Sequence, residues 1–366
     1  MRKKWILITG ICISFVLITT VLSVLVFQLR HKHQLGDAKV YHIYNDHISY
    51  TRQCIKDGYT QSFESEATFA EVIANLGSDD KIVVEEDIVS SQIFKIDSSS
   101  AQGSVIGKDV VVDIDLNNKK INSMFDLNAS YGDIKFNISN GTINSTYLNA
   151  IKASGVHGSI EININNVKCL SVGAKNAPLY IENAYKISVN AIDSKFISQN
   201  NPLPYSDYGV GVFINNEGNF TFENCLMEGG DGLHVRNGSV SLKSCSLVNT
   251  GLVTQAYQSV STGFSAVGAS LAAHCYTSDV GTTNFEITVE NCVMLTNNSN
   301  RVIYVYRVAK SGCEAVVNPD SYIKIKSCKF SQNPEEFYNL DKVVYEGSSR
   351  LMNNGQGYWV YGSVTK

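Results

Sequence analysis

The sequence predicts an all-β protein folded as a right-handed parallel β-helix (a solenoid), with a short N-terminal capping helix and a transmembrane helix. The first observation is a template that reads apolar, polar, apolar, polar, then a small amide or hydroxyl residue. Such alternation turns one face of a strand inward and the other outward. The second is its spacing, mostly 20–31 residues, which is typical of stacked repeats. Copies begin at Ile114, Phe136, Ile162, Val189, Phe220, Val240, Ile287 and Ile323.

The turns between copies are the third observation. The chain has 27 glycines and only five prolines, and the turns at Gly218 and Gly238 each precede a copy of the template. Leucine-rich repeats would need regular leucines and an asparagine at fixed offsets, helical repeats a 3.6-residue period, and propeller blades about forty residues each. The longer gaps after Val240 and Ile287 leave room for a degenerate coil or a long loop.

Four of the nine cysteines occupy one position of the template. Stacked coils would place them in a column, with neighbouring strands ~4.8 Å apart. Earlier coils carry Val167, Gly141 and Ser194 at that position, which favours a buried packing role over a metal or redox site. The four cysteines are Cys225, Cys245, Cys292 and Cys328.

The N-terminus has the pattern of a membrane anchor. Residues 1–4 are basic and are predicted to be a cytoplasmic tail, and residues 5–29 run without a charge for long enough to span a bilayer as a helix. A cleaved signal peptide, the alternative, would have a shorter apolar core and a small-x-small cleavage site. The charge bias predicts a single-pass protein of the cell membrane with its C-terminal domain extracellular.

The remaining chain divides into three predicted regions. Residues 30–66 are polar with little periodicity and are predicted to be a stalk, residues 67–345 the β-helix, and residues 346–366 a C-terminal cap. Thr68 and Glu71 form a capping-box pattern, so a helix is predicted from about 68 to 76, ending at Gly77. Such a helix would cover apolar side chains and unpaired strand edges at the open end of the stack.

Over residues 67–345 the repeated template, Gly/Asn turns and variable coil length resemble the pectin-lyase-like β-helix superfamily. The resemblance implies a ligand that lies along one outward face, across several coils, and therefore a polysaccharide or another surface glycan as partner. It is specific for the fold and weak for function.

The strand before each turn is the predicted ligand-binding face. In this face aromatic rings alternate with charged and amide side chains, which suits stacking on sugar rings and contacts with carboxylates. The alternative is an ordinary outward sheet face. The predicted ligand-binding residues are Tyr180, Glu182, Phe213, Asn215, Tyr304 and Tyr306.

The sequence leaves catalysis open. Asp207 and Asp231 both precede an apolar strand and are the best pair of carboxylates for hydrolysis of a glycosidic bond. His234 is a candidate acid or base, and Arg236 a candidate base for a lyase. The paired-aspartate and Gly-His-Gly patterns of polygalacturonases are missing from the sequence. No metal site and no cofactor are predicted, and Ca²⁺ enters only if the protein is a lyase.

A net charge of −4 gives no basic footprint for nucleic acid. The sequence therefore predicts a membrane-anchored cell-surface β-helix protein that binds or processes polysaccharide. The alternative is a non-catalytic structural or adhesive surface protein.

Overall fold

The structure is a computed structural model of the chain. It describes residues 34–90, 92–98, 109–147, 149–173, 176–199, 209–250, 268–278, 281–282, 284–296, 301–309, 321–331, 343–345, 349–353 and 359–363.

The described residues form 27 strands and one short helix, so the prediction of an all-β protein is confirmed. The helix α1 is Phe69–Ala74. The strands are β1 Leu35–Ile43, β2 Ile48–Cys54, β3 Thr60–Ser65, β4 Lys81–Val84, β5 Ile88–Val89, β6 Phe94–Asp97, β7 Val110–Asp115, β8 Lys120–Asn122, β9 Phe125–Asn128, β10 Ile134–Asn144, β11 Ile151–Val172, β12 Leu179–Ile192, β13 Lys195–Gln199, β14 Val210–Glu223, β15 Leu226–Gly229, β16 Asp231–Lys243, β17 Ser246–Asn249, β18 Ala269–Ser278, β19 Gly281–Thr282, β20 Phe285–Glu290, β21 Val293–Leu295, β22 Arg301–Ala309, β23 Tyr322–Lys326, β24 Lys329–Phe330, β25 Val343–Tyr345, β26 Ser349–Asn353 and β27 Trp359–Ser363.

Parallel pairing between successive repeats builds three ladders, and each repeat contributes one stretch of strand to each ladder. In the first ladder the buried positions are Ile82, Ile114, Ile138, Ile164, Ala191, Phe222, Leu242, Val289 and Ile325. In the second they are Ile88, Ile121, Ile143, Cys169, Phe196, Met227, Leu247, Met294 and Phe330. In the third they are Phe94, Phe125, Ile151, Leu179, Val212, Leu233, Leu271 and Ile303. This long sheet of parallel strands is compatible with a β-helix solenoid.

The inward residues of the three ladders belong to one apolar core. At its N-terminal end, aromatic rings continue from the helix into the first repeats. The ring centroids of Phe69 and Phe94 are 4.7 Å apart, and Phe125 lies 5.5 Å from Phe94. Large apolar side chains stacked at each level make burial the main stabilising term of the stack.

The corner between the first and second ladders has a fixed backbone conformation. Asn140, Asn166, Asp193, Asn224, Ser244, Asn291 and Ser327 all have φ between 51° and 56°. Asn and Asp tolerate this left-handed region better than other non-glycine residues, which explains the small amide or hydroxyl residue in the template. The next residue in each repeat is the predicted cysteine position, and the four cysteines lie in register and are buried.

The register confirms the template alignment from Phe136 to Ile323. Val240 pairs directly with Ile287, and Ile287 with Ile323, so no further coil is inserted into this ladder across either gap. The first copy is wrong by two residues, because Ile114 pairs with Ile138 and not with Phe136. Its corner is longer, with both Asn117 and Asn118 at positive φ.

The region predicted as a stalk, residues 30–66, differs from that expectation. Strands β1, β2 and β3 form an antiparallel sheet, and β1 also pairs in parallel with β4, so the sheet continues the first ladder. Its polar character arises because β3 is largely exposed. The predicted membrane span, residues 5–29, lies outside the described residues. Within the described part of the chain no helix is both long and apolar enough to cross a membrane.

The capping-box prediction is confirmed at α1, although the helix ends two residues earlier than expected. Thr68 Oγ1 accepts from the backbone N–H of Glu71 at 3.3 Å, and Glu71 Oε2 accepts from the backbone N–H of Thr68 at 2.7 Å. Phe69, Val72 and Ile73 are buried against the first repeats. At the other end β27 pairs antiparallel with both β24 and β26. The role of residues 346–366 as a cap remains a prediction.

Candidate functional site

Most of the predicted face lies on the outer side of the third ladder. Lys95, Asp126, Lys152, Tyr180, Phe213, His234, Ala272 and Tyr304 occupy matching positions in eight successive strands. We call this set the outer column. It is charged at one end, where Lys152 Nζ lies 3.7 Å from Asp126 Oδ1, and aromatic further along.

Three rings of the outer column lie next to one another. The centroids of Tyr180 and Phe213 are 5.1 Å apart with planes at 18°, and Phe213 lies 5.6 Å from His234. The guanidinium carbon of Arg236 lies 5.1 Å from the centroid of Phe213. A cation over an aromatic face is attracted by the negative face of the ring. These rings therefore lie beside the positive charge of Arg236 and the carboxylate of Glu182.

Glu182 is held beside these rings by two hydrogen bonds. The Tyr180 hydroxyl donates to Oε2, and Asn215 Nδ2 donates to Oε1 at 2.9 Å. Burial raises the pKa of Tyr180, and the hydrogen bond to Glu182 raises it further. Tyr180 therefore stays a protonated donor across the physiological range.

Asp231 and His234 form a buried pair, since both side chains are 0% exposed. His234 Nδ1 lies 2.9 Å from Asp231 Oδ2, and Asp231 Oδ1 accepts from the backbone N–H groups of Gly268 and Ala269 at 2.8 and 2.9 Å. Burial is the largest influence and lowers the pKa of His234; the hydrogen bond and the charge of Asp231 raise it by less, and the positive charge of Arg236 lowers it. The imidazole is therefore neutral at pH 7 and donates Nδ1–H to the carboxylate.

Some side chains that the sequence predicts on an exposed face are buried in the structure. Leu233 and Val235 point into the core as predicted, but Phe213 and His234 on the other side are also fully buried. Phe213 packs with Ala177 and Val210 in a second apolar cluster outside the ladder, with Tyr180 against it. Alternation fixes which side of the sheet a residue takes, and here that side is covered.

Arg236 owes its position to a bulge. Ile214 pairs with Val235 and Asn215 with Asn237, which leaves Arg236 as the extra residue of β16. Such a bulge redirects a side chain out of the regular pleat. The guanidinium is half-buried, and its Nε lies buried without a hydrogen-bond partner among the described residues. A buried N–H of this kind costs about 1–3 kcal/mol until a partner accepts it.

The two described carboxylates of this site, those of Glu182 and Asp231, both accept hydrogen bonds from the protein. The oxygens of Glu182 accept from Tyr180 and Asn215, and those of Asp231 are bound to His234 and two backbone amides. In the part of the chain that the structure describes, no group of three His, Cys, Asp or Glu side chains could hold a metal ion. The other proposed catalytic carboxylate, Asp207, lies outside the described residues.

The structure brings together seven of the ten predicted residues: Tyr180, Glu182, Phe213, Asn215, Asp231, His234 and Arg236. Tyr304 lies two strands further along the outer column, where it packs on Ala269 and Ala272. The backbone of Tyr306 pairs with His274. Sequence reasoning missed the backbone donors of Gly268 and Ala269, since hydrogen bonds from distant backbone groups leave no signal in composition or spacing.

Comparison of the chain with protein-family models, with curated proteins and with solved structures finds no match.

Proposed function

We propose that the three ladders wind as a right-handed parallel β-helix of the pectin-lyase-like type. The residues 1–29 anchor it in the cell membrane with the solenoid outside, and the outer column near Arg236 binds an acidic polysaccharide. The parallel ladders support the fold, and the charge-free run at residues 5–29 supports the anchor.

Arg236 is the observation that carries the proposed ligand. Its guanidinium lies over Phe213, and Arg236 and the neighbouring Tyr180 are partly exposed, whereas Phe213 itself is buried. A planar guanidinium binds carboxylates through two parallel hydrogen bonds, and the partly exposed ring of Tyr180 suits the apolar face of a sugar ring. A uronic acid residue offers both features, which favours an acidic over a neutral polysaccharide.

The same geometry favours binding over catalysis. His234 and Asp231 have no exposed surface, and the oxygens of Asp231 are already hydrogen-bonded. A general acid or base must come within hydrogen-bond reach of the proton that it transfers. The buried pair therefore fits a structural role at the base of the site, in line with a non-catalytic, adhesive surface protein.

The test measures binding of the full-length chain in nanodiscs to polygalacturonate and to a neutral polysaccharide. We expect the wild type to prefer polygalacturonate, and Arg236→Ala to weaken that binding about tenfold or more, the loss of one charge-assisted pair. Lys324→Ala is the matched control, since Lys324 Nζ also lies over a ring, at 5.0 Å from that of Tyr322.

Equal affinity of wild type and Arg236→Ala for polygalacturonate would overturn the proposed site. Assays for new reducing ends and for unsaturated products accompany the binding measurement. Either product from the wild-type protein would overturn the non-catalytic reading and return His234 and Arg236 to the catalytic candidates.

A further inference from the structure

A cavity separate from the outer column lies at the N-terminal end of the stacked repeats. It has a volume of about 450 Å³ and is bordered by three segments, the turn between β1 and β2, the start of α1, and the stretch from β5 to β6. This volume is within the range of about 300–1,000 Å³ typical of small-molecule sites. The residues that line its base are Ile43, Ile48, Phe69, Ile88 and Phe94.

The base of this cavity is apolar and fixed. All five of its side chains belong to the core and are 1–8% exposed. Phe69 and Phe94 contact each other at 4.7 Å between centroids, which ties the base to the helix and to the third ladder. An apolar base in a preformed cavity favours an organic ligand over a bare hydrated ion.

The rim carries negative charge. Asp46 and Glu66 line the cavity. Besides the hydrogen bond to Asp46, the charges of Glu64 and Glu86 lie close enough to contribute to the raised pKa of His47. Among the described lining residues His47 is the one basic side chain, and its Nδ1 lies 2.6 Å from Asp46 Oδ1. The hydrogen bond to Asp46 raises the pKa of His47, so His47 offsets part of this charge, but four carboxylates against one basic group leave an excess of negative charge that attracts cations and repels anions.

The N-terminus of α1 does not change the preference of the cavity for cations. The backbone N–H groups of Thr68 and Glu71 are occupied by the reciprocal capping bonds, and the carboxylate of Glu71 adds another negative charge at that end. The ring of Tyr44 lies flat against His47, with centroids 4.2 Å apart and planes at 7°. Both rings line the cavity.

We propose that this cavity, named here the N-terminal pocket, binds an organic ammonium ion whose apolar body fills the base and whose charged nitrogen lies at the rim by Asp46 and Glu66. The five apolar side chains supply the burial, and the rim carboxylates supply charge complementarity.

Three probes that differ only in charge test this pocket: 3-phenylpropylamine, 3-phenylpropanol and 3-phenylpropanoate. Each is titrated into the full-length chain in nanodiscs and followed by ligand-observed NMR, with empty nanodiscs to correct for partition into lipid. We expect the amine to bind about tenfold more tightly than the alcohol, and the carboxylate more weakly than both.

The double variant Asp46→Asn/Glu66→Gln should lower affinity for the amine to that for the alcohol, and should leave binding of the alcohol unchanged. Asp79→Asn/Glu217→Gln, which removes two exposed carboxylates outside the lining, is the matched control and should bind like wild type. Equal binding of amine and alcohol, an amine affinity unchanged in the first variant, or no saturable binding below about 10 mM would each overturn the proposal. Polygalacturonate binding, measured on the same samples, reports separately on the outer column.

Discussion

The backbone N–H of Cys245 donates to Sγ of Cys292, its neighbour in the next coil, at 3.2 Å. The same relationship holds between Val167 N–H and Ser194 Oγ, at 3.1 Å. Each acceptor also donates within its own corner, Cys292 to the carbonyl of Glu290 and Ser194 to that of Ile192. At Ser194 and Cys292 the position therefore carries a small acceptor that satisfies a buried backbone group, which a hydroxyl does as well as a thiol, whereas Gly141 and Val167 fill it in earlier coils without an acceptor.

The cysteine position should tolerate serine better than valine. Cys292→Ser keeps both hydrogen bonds, so we expect it to cost about 1 kcal/mol or less in free energy of unfolding. Cys292→Val fills similar space but leaves the N–H of Cys245 unsatisfied, which costs about 1–3 kcal/mol. Urea unfolding of the two variants gives the comparison. A valine variant as stable as the serine variant would show that packing alone governs this position.

The corner before each cysteine should depend on backbone conformation. Asn224 has a φ of 54°, which alanine adopts at a cost of about 1–2 kcal/mol and glycine without strain. We expect Asn224→Ala to lower the midpoint of thermal unfolding and Asn224→Gly to stay close to wild type. Asn219→Ala, at an exposed position of the same strand, is the control. Equal loss in the alanine and glycine variants would instead indicate that the amide side chain is what matters.

The buried His234 should make stability depend on pH. Its pKa is lowered in the folded state, chiefly by burial, so the folded protein binds fewer protons than the unfolded chain. Stability from this residue is present above the unfolded pKa of about 6.5 and is lost as the pH falls toward the folded pKa, by at most about 1.4 kcal/mol per pH unit.

His234→Gln lacks the titrating group and should lose less stability than wild type between pH 7 and pH 5. Chemical denaturation at several pH values measures both slopes. Parallel slopes in the two proteins would show that His234 does not titrate on unfolding in this range.

The ladders could be predicted from sequence because parallel stacking repeats one local rule at each level. Phe136 to Ile323 align as the template requires, and the small polar residue before each cysteine reports the left-handed corner. The corner at Asn117 and Asn118 is longer, so the template places the first copy two residues away from its true pairing partner. Strands β1 to β3 were missed because their polar residues leave no strict alternation.

The sequence predicted which residues form the candidate site, but it did not predict that some of them are buried. Alternation puts Phe213 and His234 on the outer side, yet Phe213 packs against Val210 of its own strand and against Ala177 of the preceding repeat. The bulge at Arg236 likewise depends on the pairing of β14 with β16, in which consecutive residues Ile214 and Asn215 face Val235 and Asn237. Both features are set by contacts between repeats, which no single repeat encodes.

Neighbouring rungs in this protein are joined by chain of very unequal length. Cys225 and Cys245 are adjacent in their ladder, and so are Cys245 and Cys292, although 20 residues separate the first pair in sequence and 47 the second. Hydrogen-bond register is thus independent of the number of residues between rungs, and lengthening a connection costs little entropy. A stack of this kind can therefore gain sequence between two rungs while the hydrogen-bonded ladders and the core within them stay unchanged.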